Sequence, residues 1–157
     1  MNEAGAPSGR PLRVLVVDDN VEHVVTTKLL LLHAGFEVSL ALRGREVFAE
    51  VGRFKPEAIL LDIGLPELSG YEIARELRIA HPHMLIVAIT AYGTQTDRML
   101  AAMAGFDHHL TKPYDPIAMV SLLERHAERL ARGEWARSWP LEPGLGRKQD
   151  GPAGDSM

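Results

Sequence analysis

Short apolar runs alternate along the chain with longer segments in which apolar and polar residues mix. Five runs stand out: LRVLVV (12–17), FEVSLA (36–41), AILL (58–61), LIVAIT (85–90) and FDHHLT (106–111). Each is bounded by polar or turn residues, and most lack a polar interruption, which is the pattern of strands covered on both faces in a parallel sheet. The segments between them are long enough for helices. Val21 to Ala34 stops at Gly35, Glu46 to Arg53 stops before Pro56, Tyr71 to Ala80 stops before Pro82, and Gln95 to Ala104 stops at Gly105. Each stop falls at a residue type that ends helices. The last helix is predicted to have Asp115 as N-cap and Pro116 in its first turn, and to run to about Arg132. Strand then helix, five times over, predicts an α/β fold: a doubly wound, five-stranded parallel sheet with helices on both faces. Its ligand site should lie at the carboxyl ends of the strands, near the switch in strand order.

Those strand ends carry the chemistry. The first run closes on two adjacent acids, Asp18 and Asp19, the third on Asp62, the fourth on Thr90 and the fifth on Lys112. Singly, an Asp or Thr there is explained as a helix cap and a Lys as a solvated side chain; jointly, they fall on one functional edge. Carboxylates side by side at the end of a buried strand repel each other and are costly to desolvate, so a positive group belongs among them. Oxygen donors alone suit a hard divalent cation such as Mg²⁺, which keeps several waters and takes few protein carboxylates. With the acids compensated, one carboxylate can attack a phosphoryl group and form an acyl phosphate. Asp62 is the best-placed nucleophile, with Lys112 and the Thr90 hydroxyl available to hold phosphoryl oxygens.

The Asp pair, the Asp within LLDIGLPELSGYE, Thr90 followed by a small residue, and the Lys112-Pro113 dipeptide together resemble the receiver domains of two-component response regulators. The likeness covers about Leu12 to Arg132. It implies a flavodoxin-like sheet of strand order 2-1-3-4-5. It also implies Asp18 and Asp19 on Mg²⁺, Asp62 as phosphoacceptor and metal ligand, and the Gly64 carbonyl as a further ligand. Thr90 would be the hydroxyl that moves toward the phosphoryl group, Lys112 its ion-pair partner, and the Lys112-Pro113 bond cis. The implied donor is the phosphohistidine of a histidine kinase or histidine phosphotransfer protein. The implied output face, toward a downstream protein effector, is the fourth helix, fifth strand and fifth helix.

Several positions depart from the family pattern or stand outside it. His109 occupies the place where many receivers carry a switching aromatic. Gly64 has no side chain to orient a water, and Tyr92 is no general base at neutral pH, so slow self-dephosphorylation is expected. His81, His83, His108 and His109 are taken as solvated or packed rather than metal-binding. The first helix holds more apolar residues than one buried stripe needs. Either its face is wide and buried, or one or two of Val25, Leu29, Leu30 and Leu32 stay exposed for docking of the kinase or phosphotransfer protein.

Composition narrows the class. At 157 residues, 46% hydrophobic and 24% charged, the chain suits a single core. It has no Cys, which removes disulfides and thiolate sites. No apolar run approaches the roughly 20 residues of a membrane span, and no signal peptide is evident, so a cytoplasmic protein without membrane contact is expected. A formal charge of −4 offers no basic footprint for nucleic acid. Residues 1–11 are expected to be a flexible N-terminal segment and 12–132 the receiver. Residues 133–157, rich in Gly, Pro and charge, are expected to be a largely flexible tail too short for a DNA-binding module. Trp135 and Trp139 within it are spaced to extend the last helix, pack on the domain or dock on a partner. The expected function is therefore a stand-alone receiver that signals through protein contacts. It is a phosphoacceptor assisting its own phosphorylation and dephosphorylation rather than an enzyme turning over a substrate. A phosphorylation-independent adaptor with the same fold is the alternative. An aspartyl phosphohydrolase of the haloacid dehalogenase kind needs a second acid two residues after the nucleophile, where Gly64 and Val21 stand instead.

Overall fold

The computed structural model describes residues 10–66 and 68–134. Trp135, Trp139 and nearly all of the expected terminal segments lie outside them. In order come β1 (Arg13–Val17), α1 (Val21–His33), β2 (Glu37–Ala41), α2 (Val47–Phe54), β3 (Ala58–Asp62), α3 (Gly70–Ala80), β4 (Leu85–Thr90), α4 (Gln95–Ala104), β5 (His108–Thr111) and α5 (Pro116–Ala131). All strand pairs are parallel, in the order β2-β1-β3-β4-β5, as the sequence pattern and the family likeness require.

Alternate residues of each central strand serve opposite layers, because successive strand side chains point to opposite faces. Leu15, Val17, Ile59, Leu61, Ile86 and Ala88 pack with residues of α2, α3 and α4, among them Val47, Val51, Ile73, Leu77 and Ala101. Val14, Val16, Leu60, Val87 and Ile89 pack instead with Leu31 of α1 and Met119 and Leu123 of α5. Every residue of β3 and β4 is buried, which accounts for their unbroken apolar runs. The edge strands differ. β2 alternates, and no residue of β5 is fully buried, because each has a partner strand on one side only.

Local chemistry sets the element ends. Asn20, Ser69, Thr94 and Asp115 cap α1, α3, α4 and α5, each accepting a hydrogen bond from a first-turn amide. At α4 the cap is reciprocal, with Asp97 returning to the Thr94 amide. Two boundaries move from their expected places. Residues Gly44–Glu46 form a single 3₁₀ turn, and α2 begins at Val47; the Glu46 carboxylate accepts the Leu42 amide at 3.0 Å instead of serving inside the helix. The expected strand FDHHLT narrows to His108–Thr111. Phe106 leaves the ladder to join the core, edge-on to Tyr71.

A buried ion pair braces the lower part of the sheet. The Arg78 guanidinium, 2% exposed, donates to the carbonyls of Gly105, Met84 and Pro82 and to the Asp107 carboxylate at 2.5 Å. These contacts make its burial tolerable, since a buried charge needs its donors satisfied.

Candidate functional site

Four strands deliver their ends to one edge of the sheet. Asp18 follows β1 directly and its amide donates to the Ala41 carbonyl of β2 at 3.2 Å. Asp62 is the last residue of β3 and Thr90 the last of β4. The Lys112 amide donates to the Thr90 carbonyl at 2.7 Å, holding the segment after β5 against β4. Asp18, Asp62 and Thr90 are buried, whereas Asp19 is exposed.

One carboxylate oxygen from each of Asp18, Asp19 and Asp62 lies within 4.8 Å of the others. Lys112 is the ammonium among them: its Nζ is 3.1 Å from Asp62 Oδ2 and 3.8 Å from Asp18 Oδ2. Burial opposes the charge on Lys112, yet Asp62 and Asp18 outweigh it and raise its pKa above the usual lysine value. Burial likewise pushes the Asp18 carboxyl up. The Asn20 amide, His23 and Lys112 together overcome that push and hold it below the usual range. Three carboxylates against one ammonium leave a surplus of negative charge, and every donor in the cluster is oxygen. That donor set fits a hard divalent ion.

The polar atoms are held in place. Asp62 Oδ1 accepts the Gly64 amide at 2.8 Å. Gly70, at the start of α3, packs so closely on this loop that a methyl group there would stand 2.8 Å from the Ile63 Cα. Thr90 Oγ1 accepts the Tyr92 amide at 3.1 Å, and the Tyr92 ring is 71% exposed, so it does not pack over the loop. The Lys112-Pro113 bond is cis, as the family likeness implied. His109 pairs in register with Ala88 and so faces the α4 side of the sheet, as Thr90 does. Both its ring nitrogens are buried without a hydrogen-bond partner among the described residues. Burial and then Arg98 lower its pKa, favouring the neutral ring. His109 is thus seated as a packed ring.

Asp18, Asp19, Asp62 and Lys112 are brought together as their positions predicted, with Thr90 at the adjoining strand end. Gly64 places its amide, rather than a side chain, on Asp62. His23 and Tyr114 were missed by sequence reasoning. His23 Nδ1 lies 2.6 Å from Asp18 Oδ2, and its ring packs on Tyr114 with centroids 6.1 Å apart. The available signal was a histidine in the first turn of the helix that follows the acid pair.

Two apolar surfaces flank the site. On α1, Val21, Val25, Leu29 and Leu32 are exposed, while Leu30 is partly buried. Three of the four candidates there therefore stay outside the core, and all four exposed residues fall along one side of the helix at spacings of four, four and three. On α4, Met99, Leu100 and Met103 are exposed. Among the described residues no helix is long and apolar enough to cross a membrane.

Comparison with known proteins agrees with this geometry. The family model for the response regulator receiver domain matches residues 14–124. The transcriptional regulatory protein TrcR of Mycobacterium tuberculosis is 34% identical over 134 residues, 85% of this chain and 49% of that protein. The chain spans about half the length of the curated relatives it matches first. Among solved structures, a CheY-like response regulator receiver domain protein from Methanospirillum hungatei superposes with a TM-score of 0.73 at 25% identity, covering 78% of this chain and 98% of that one. The BeF₃-activated DrrB receiver domain gives a TM-score of 0.70 at 26% identity, covering 76% and 99%. With the sheet order, the site residues and the family match in agreement, the chain belongs to the response regulator receiver domains of two-component signalling.

Proposed function

We propose that the chain accepts a phosphoryl group on Asp62 from a phosphohistidine of a kinase or phosphotransfer protein and relays the change through protein contacts. One observation carries the reading: three carboxylates meet at the strand ends with Lys112 Nζ 3.1 Å from Asp62 Oδ2. A carboxylate oxygen of Asp62 attacks phosphorus and forms the new O–P bond of an acyl phosphate. The donor's N–P bond breaks, and its nitrogen leaves with the electron pair and is protonated by solvent. Lys112 stabilises charge on the incoming phosphoryl oxygens, and the Thr90 hydroxyl donates to one of them once it leaves the Tyr92 amide. Asp18, Asp19, Asp62 and the Gly64 carbonyl are the proposed Mg²⁺ ligands. Bound there, the ion neutralises negative charge that would otherwise repel the phosphoryl group.

The protein acts as a switch that phosphorylates itself from a donor, not as a catalyst with an external product. The exposed apolar row on α1 supports docking of a helical donor beside Asp62, and the exposed residues of α4 support an output face formed with β5 and α5. A net charge of −4 favours a protein partner over nucleic acid. Borohydride reduction after treatment with acetyl phosphate and Mg²⁺ tests the site. Homoserine should replace aspartate at position 62 in the peptide map; reduction at Asp18 or Asp19 instead would reject the assignment.

A further inference from the structure

We propose that His23 is a positioning residue for the acid cluster. It fixes the Asp18 carboxylate in the cation-binding orientation and keeps Lys112 on Asp62. The inference rests on the phosphoacceptor reading and adds to it a residue on α1.

The geometry is specific. Asp18 Oδ1 accepts the Asn20 amide at 3.0 Å, and Oδ2 lies 2.6 Å from His23 Nδ1. Each oxygen then has one hydrogen-bond partner and a remaining lone pair for a cation. Hydrogen bonds of this kind to ligating carboxylates are what orient metal ligands. His23 is itself held from behind: Tyr114 lies against its ring, with the phenol oxygen 3.5 Å from Nε2. Tyr114 stands in the β5–α5 loop two residues after Lys112. The imidazole therefore bridges the acid after β1 to the loop that carries the lysine.

Lys112 gives the bridge its second consequence. Its Nζ is 3.8 Å from the same Asp18 Oδ2 that His23 holds, and 3.1 Å from Asp62 Oδ2. Without the imidazole, Asp18 Oδ2 loses its nearer partner and is drawn toward the ammonium. That movement takes the Asp18 carboxylate from its cation-binding orientation and makes it compete with Asp62 for Lys112. An asparagine at this position places an amide nitrogen at the same point on the side chain as Nδ1, so it can supply the same donor. Alanine supplies none, and phenylalanine keeps the ring against Tyr114 but loses the donor.

Calorimetric titration of the full chain with MgCl₂, without any phosphodonor, tests this. His23→Ala is expected to weaken Mg²⁺ binding about tenfold or more, and His23→Asn to stay within about threefold of the unchanged protein, in line with the effect of removing or keeping an outer-shell donor. Melting curves in EDTA establish that the variants are folded, and His23→Phe gives the same test should His23→Ala fail to fold. Equal Mg²⁺ affinity in the donor-lacking variants would overturn the role of His23 while leaving the phosphoacceptor reading in place. An unchanged protein that takes up no Mg²⁺ would overturn both.

Discussion

Asp18 and Asp62 are buried carboxylates with Asp19 beside them, an arrangement that costs folding energy unless the charge is answered. Lys112, the Asn20 and Gly64 amides and His23 answer part of it, and the remainder makes the site receptive to a cation. Tyr92 sits two residues past Thr90 with its ring in solvent, and it brings no carboxylate to that position. Tyr92→Glu should therefore shorten the lifetime of the phosphorylated protein, by about a hundredfold if the carboxylate acts as a general base. Unchanged decay after removal of the donor would reject this role. His126 lies on the opposite face of the sheet and governs stability rather than chemistry. It is 4% exposed, and its Nε2 bonds the Glu57 carbonyl at 3.1 Å. Burial, followed by Arg129, lowers its pKa from 6.5 to about 4. The unfolded chain binds this proton below its ordinary value and the folded chain does not until about 4. Stability from His126 is thus complete above pH 6.5 and is lost as pH falls toward 4, a total on the order of 3 kcal/mol. His126→Gln, which keeps a donor and does not titrate, should flatten that limb of urea midpoint against pH; an identical slope in both proteins would show that other groups set it.

Elements place these residues, and at Gly70 the start of α3 abuts the loop that follows Asp62. A methyl there meets the Ile63 backbone at 2.8 Å, so the start of α3 and the loop after Asp62 must separate to admit it. Gly70→Ala should destabilise the fold by about 1–3 kcal/mol, as overpacking does, and slow phosphorylation of Asp62. Full stability with a normal rate would mean that the loop yields without consequence. The sequence pattern made the central strands and the site plain for the same physical reason. β1, β3 and β4 are covered on both faces, so their apolar runs are unbroken, and an acid or hydroxyl at the end of such a run stands out. The edges were less legible because one side of each is not paired, and FDHHLT mixes a core Phe106 with the shorter strand His108–Thr111. His23 was signalled only by its place in the first turn after the acid pair, and Arg78 and His126 were not legible at all. The partners of these two lie across the fold: Gly105 and Asp107 for Arg78, and Glu57 for His126. No local spacing announces such pairs. The α1 row was legible only as an excess of apolar residues; its exposure on one side required the packing of Val24, Thr27 and Leu31 inward.

At the scale of the molecule, the proposed phosphorylation is a charge change at one sheet edge that would bias surfaces on either side of it, with the proposed donor surface on α1 and the proposed output face on α4, β5 and α5. If Mg²⁺ binds the acid cluster as proposed, it is coupled to folding, because an ion that binds only the native cluster stabilises it, by about 2.7 kcal/mol at a hundredfold excess over its dissociation constant. Melting temperature should rise with Mg²⁺. In EDTA, Asp19→Asn should melt above the unchanged protein, since one of three mutually repelling carboxylates is gone, and it should gain less from Mg²⁺. The opposite ranking in EDTA would mean that the acids are not under mutual repulsion. The most direct measurement is the intact mass of the protein and of Asp62→Asn after incubation with acetyl phosphate, each with Mg²⁺ and with EDTA. One added phosphoryl mass, present only in the unchanged protein with Mg²⁺, is the expected result. The same addition in Asp62→Asn or in EDTA, or none in any sample while a receiver known to accept the donor is modified alongside, would contradict Mg²⁺-dependent phosphorylation of Asp62.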